Sequence, residues 1–138
     1  MSSIKSRTAD ALAPMLASFH SVNDEPLQAV WYVYRDASLE SVTLDFGVTS
    51  LAIMADENDD TIDLSIVQTD RRDTRSASGN HLDIWKQFIG KRFGWGWITV
   101  NQQGYCDGLL LSFEGVLPQL AVSVVASSIK VATISAFA

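Results

Sequence analysis

Six residues in one short stretch carry the groups best suited to recognising something. Trp95, Trp97, Asn101, Gln103, Tyr105 and Asp107 occupy alternate positions of a segment that also holds Gly94, Gly96, Gly104 and Gly108. On an extended chain, side chains two apart point the same way. Trp95, Trp97 and Asn101 therefore share a face that is indole at one end and amide at the other. If Gln103-Gly104 is a turn, Tyr105 and Asp107 face the same way on the returning strand. Amide, phenol and carboxylate groups beside indoles make a polar pocket in an apolar frame. Tryptophan and tyrosine also dominate the binding energy of protein interfaces. The alternative is that both indoles fill the core and the amides tie down a turn. Phe93-Gly94-Trp95-Gly96-Trp97 is not a phosphate loop, because no Gly-Lys-Ser/Thr follows it.

A second candidate is basic. Arg71, Arg72 and Arg75 lie in residues 69–80, a polar run with no apolar period. Loops of that length are usually functional or mobile, so these arginines form a secondary binding site for an acidic partner. A solvated loop is the plainer reading.

Metal and catalytic chemistry find less. Asp56, Asn58 and Asp60 match the first half of a calcium loop, but Thr61 stands where the glycine belongs and Val67 where the closing glutamate belongs. The stretch reads as a hairpin loop, and no metal or other cofactor is expected. His20 and His81 stand in unrelated contexts. Cys106 has no neighbour in sequence to activate it, and no hydrolase or metalloprotease motif occurs. The expectation is a chain that is not an enzyme, with no catalytic residues.

The elements that must position these groups follow from hydropathic period. Ala9, Leu12, Leu16 and Phe19 are at helical spacing, which predicts a short amphipathic helix over 8–19, broken or kinked at Pro14. From Leu27 the period becomes two. Strands are expected over 29–35, 42–46, 51–55 and 62–66, then a short helix over 81–93. The last third predicts strands over 95–102, 105–113, 120–126 and 129–134. No repeat is legible. The fold class this implies is α+β: one domain over residues 1–138, a twisted, mainly antiparallel sheet or open barrel of about eight strands with two short helices.

Composition bounds the function. The 138 residues are 47% hydrophobic and 19% charged, with a formal net charge of −6. The acids concentrate before residue 69. An acidic body repels phosphate, so nucleic acid is not an expected partner. The run from Leu120 to Phe137 carries Lys130 and serines near its middle and alternates as strands do, so no membrane span is expected. One cysteine excludes an internal disulfide and, with no apolar leader near the start, suits a cytoplasmic location.

The runs Asp59-Asp60-Thr61, Phe88-Ile89-Gly90-Lys91, Trp95-Gly96-Trp97 and Asn101 to Asp107 resemble a pattern in small uncharacterised bacterial domains of unknown function. The resemblance covers residues 39–113. Such domains include interaction modules and immunity proteins of toxin systems. The function this implies is a non-enzymatic module that binds a protein partner, with an immunity-like role in the toxin-system sense as one form of it. The alternative is a small-ligand-binding domain using the aromatic and amide hairpin face.

Overall fold

The computed structural model describes residues 3–56, 60–68 and 83–134, with side chains from residue 12 onward. The elements follow in the order α1 (Ser3–Ser21), β1 (Ala29–Arg35), β2 (Ser38–Asp45), β3 (Thr49–Asp56), β4 (Thr61–Gln68), α2 (Asp83–Lys86), β5 (Phe93–Val100), β6 (Cys106–Phe113), β7 (Leu120–Val125) and β8 (Ser128–Thr133). The expected antiparallel strands and two helices are present. The expected single sheet or barrel is not. The strands form two separate four-stranded meanders, β1-β2-β3-β4 and β5-β6-β7-β8.

The two sheets pack face to face. Alternation along each strand puts one apolar set inward. Val42, Leu44, Leu51, Ile53 and Leu64 of the first sheet share one core with Leu109, Leu111, Leu120, Val122 and Ile129 of the second. β2 lies against β8, and β4 against β6. The apolar run at 120–134 is thus two core strands, with Leu120, Val122, Val124 and Ile129 buried. No described helix is long and apolar enough to cross a membrane.

A sandwich of two open sheets has two open sides, and each receives a helix. α1 packs on the edge strands β4 and β5. On the opposite side, Trp85 of α2 is buried and donates its indole N–H to the Tyr32 hydroxyl of β1 at 2.7 Å. Its neighbour Ile84 shares a depression with Ile129 and Val131 of β8.

This arrangement is an internal structural repeat. Each half is a helix followed by a four-stranded meander, and the hydrogen bonds of the first half recur at constant spacing in the second. Val22 N–H to Phe19 carbonyl matches Phe88 to Trp85, Asn23 to His20 matches Ile89 to Lys86, and Glu25 to Val22 matches Lys91 to Phe88. The two halves meet along one seam at the Pro26–Arg92 bridge. There the bonds exchange between halves: Leu27 N–H to Lys91 carbonyl is answered by Phe93 to Glu25, and Asp24 to Phe93 by Gly90 to Leu27. Bonds that map onto each other when the halves swap define an approximate two-fold axis through the seam. Strand registers agree, since Leu44 faces Leu51 and Leu111 faces Leu120. The repeat is visible in sequence once the structure aligns it: Leu44-Asp45-Phe46-Gly47-Val48 against Leu111-Ser112-Phe113-Glu114-Gly115-Val116.

Both helices differ from expectation. α1 runs unbroken through Pro14. Pro14 is on the exposed side, where a lost N–H and a slight bend cost least. α2 spans only Asp83–Lys86, not the helix expected over 81–93. Phe88, Ile89 and Lys91 bond three residues back, and Gly90 turns the chain out at φ +87°.

The Tyr32 hydroxyl is titratable. Burial pushes its pKa up from 10.0, the Trp85 hydrogen bond pulls it back, and Tyr34 pushes it up again. The unfolded chain therefore loses this proton at lower pH than the folded one. The stabilisation is fully present below pH 10 and is lost as pH rises through the folded value. Absorbance titration at alkaline pH should show a tyrosine ionising above 10.0 in native protein and at the ordinary value in urea.

Candidate functional site

The start of β5 is a floor on which two other segments close. Gly96 has no side chain, and Phe19 of α1 uses the space: a Cβ on Gly96 would lie 2.5 Å from its ring. Phe19 then stacks on Phe93 with centroids 5.7 Å apart. Gly94 serves the second segment in the same way, since a Cβ there would meet the Gly115 carbonyl at 2.6 Å. The turn between β6 and β7 is held down on it. Ser112 Oγ donates to that carbonyl at 2.6 Å, and Glu114 N–H donates to the Arg92 carbonyl at 2.8 Å.

Between α1 and this turn lies an open cleft of about 610 Å³. Leu16, Trp95 and Val116 form its apolar lips, and His20, Asn23, Asp24, Arg92 and Glu114 its polar end. The lips face water: Trp95 is 54% exposed, Leu16 45%, and Val116 and its neighbour Leu117 64% and 63%. At the polar end Arg92 Nη1 donates to the Asp24 carbonyl at 2.8 Å, and Arg92 N–H reaches Glu114 Oε2 at 3.4 Å.

The sister half shows what makes the cleft. Gln28 stands where the cleft half has Gly94, Val30 where it has Gly96, and Trp85 where it has Phe19. The Gln28 amide lies over Gly47, within 2.8 Å of where a Cβ would be. The chain between Phe46 and Leu51 is also two residues shorter than that between Phe113 and Leu120. Smaller residues on the floor and a longer wall open in one half what larger residues fill in the other.

The six hairpin residues do not converge on this cleft. Trp95 lines it. Trp97 is half-buried on the outer face of the second sheet, opposite Leu110. Neither indole belongs to the core. Asn101, Gln103, Tyr105 and Asp107 lie at the far end of β5, about 20 Å from Trp95 at strand rise. Asn101 there organises the turn. Its Oδ1 accepts from the Gln103 and Tyr105 amides at 2.9 and 3.2 Å, and its Nδ2 lies 3.5 Å from Asp107 Oδ2. Asp107 Oδ1 also accepts from Thr99 Oγ1 at 3.1 Å. Asn101→Ala should therefore lower stability by about 1 kcal/mol, read by urea denaturation, and leave partner affinity unchanged. Gly108 is likewise a packing glycine, since a Cβ would meet Thr99 Oγ1 at 2.8 Å.

Arg71, Arg72 and Arg75 lie outside the described residues, as do residues 57–59 of the acidic stretch. Asp60 ties the two meanders together at the end away from the seam, accepting from Ser127 N–H at 2.7 Å. Among the described residues no three His, Cys, Asp or Glu side chains group as metal ligands. Cys106 is buried in β6.

Sequence reasoning missed His20, Asn23, Asp24, Arg92 and Glu114, which come from separate segments and meet only through the seam. The repeat was the signal that would have found them.

A family model matches residues 13–138, both meanders and the whole cleft included. The chain belongs to DUF6334, a family of unknown function. No curated protein and no solved structure matches the chain. The DUF6334 match thus extends well beyond the residues 39–113 that carry the sequence resemblance, and it brings no activity with it.

Proposed function

We propose that this DUF6334 chain is a non-enzymatic module that binds a protein partner in the cleft between α1 and the β6–β7 turn. The observation that carries this is the divergence of the two halves. One half of the repeated scaffold is filled, while the other is open and lined by water-exposed Leu16, Trp95 and Val116. Exposed apolar side chains beside polar groups mark interaction sites, and a large aromatic is the usual anchor. The open form suits a protein segment better than a small molecule, which is normally enclosed on most sides. The small-ligand alternative has less support, because Asn101, Gln103 and Asp107 sit at the other end of the hairpin. The sequence resemblance to small uncharacterised bacterial domains, a group that includes immunity proteins, favours one form of this reading, neutralisation of a toxin by occlusion in the bacterial cytoplasm.

The test is affinity capture with tagged wild-type chain beside a Trp95→Ala/Val116→Asp variant. A partner retained by wild type and lost from the folded variant is the expected result. Equal recovery on both would show that the partner binds elsewhere.

A further inference from the structure

Resting on that reading of the cleft, we infer that its occupant is a cationic segment of the partner, an apolar side chain followed by Lys or Arg. Three features of the polar end are negative. Asp24 and Glu114 line it, and His20 places the last turn of α1, the negative pole of the helix dipole, beside it. Among the described residues the one guanidinium there, Arg92, donates to the Asp24 backbone carbonyl and offsets only one of these negative features. The whole chain, at −6, attracts a basic partner over longer range.

The sister half sharpens the assignment. Its residue at the Asp24 position is Gly90, and at the Glu114 position Gly47. All four hold left-handed backbone, with φ of 67° at Asp24, 57° at Glu114, 87° at Gly90 and 102° at Gly47. Glycine adopts that conformation freely, and a side chain does so at a cost. The filled half uses glycine at both positions. The open half keeps a carboxylate at both, at the polar end of its cleft. Charge complementarity to a cation is the use those two carboxylates have there.

A phage-displayed library of random dodecapeptides, panned on the full chain, tests this. Three variants accompany it: Asp24→Asn/Glu114→Gln, Asp24→Gly/Glu114→Gly, and Trp95→Ala/Val116→Asp. The expected result is enrichment of peptides pairing an apolar residue with Lys or Arg. Their affinity should fall at least about tenfold on either carboxylate variant, and again between about 0.05 and 0.5 M NaCl. The glycine variant should melt at or above wild type. Peptides that need Trp95 and Val116 but carry no cation, or that ignore both carboxylate variants, overturn the charge inference and leave the cleft standing. No enrichment, or enrichment equal on Trp95→Ala/Val116→Asp, overturns both.

Discussion

Replacing Trp85 with alanine is expected to cost about 3–5 kcal/mol, a large part of what holds a domain of this size together. The indole is 1% exposed and plugs the open side of the sandwich from a helix of four residues. Truncation leaves a cavity and also removes the donor to the Tyr32 hydroxyl, which sits in a buried setting. The counterpart of Trp85 across the two-fold is Phe19, packed on Gly96. Trp85→Phe should therefore be much milder, about 1–2 kcal/mol, for lost volume and the lost hydrogen bond. Urea denaturation followed by far-UV circular dichroism reads both. If Trp85→Ala unfolds at the wild-type midpoint, α2 does not close the sandwich, and the equivalence of the two helices is wrong.

Trp95→Ala should have the opposite profile. At 54% exposed, the side chain contributes little to the core, so the melting temperature should stay within a degree or two of wild type. In the complex it is the largest rigid group at the cleft, and truncation of such an anchor costs about 2 kcal/mol or more. That is roughly a thirtyfold rise in Kd. Val116→Asp, across the cleft, should weaken binding by a similar amount, because it puts a charge where an apolar group is to be desolvated. Isothermal titration or surface plasmon resonance with the captured partner gives both values. A fall in stability matching the fall in affinity would mean the rim is scaffold.

The strands were legible because a half-buried strand writes its burial into alternate residues. Val42 and Leu44, Ile62 and Leu64, and Leu109 and Leu111 are inward pairs of that kind, and all are buried. Helix ends were less legible. Phe88 and Ile89 continue the apolar spacing of Trp85, yet three-residue hydrogen bonds end α2 at Lys86. The division into two sheets left no mark in composition, since both halves feed one core and each meander is a normal antiparallel pattern. The repeat was obscured by the longer second turn, by Gln28 against Gly94, and by Val30 against Gly96. Those differences are also the ones that open the cleft. At the site, Trp95 stood out through its flanking glycines. The glycines themselves were misleading: Gly94, Gly96 and Gly108 make room for Gly115, Phe19 and Thr99. Asp24 and Glu114 carry no signal of their own in the sequence, and only their glycine counterparts in the other half give them meaning.

Hydrogen–deuterium exchange of the chain with and without its captured partner tests the cleft most directly, because it maps contact along the whole backbone. Binding should slow exchange in residues 16–24, 92–96 and 114–117 together, three segments that meet only at the cleft. Protection confined to the hairpin end at 101–107, with those three segments unchanged, would contradict the assignment and move the partner to the other end of β5.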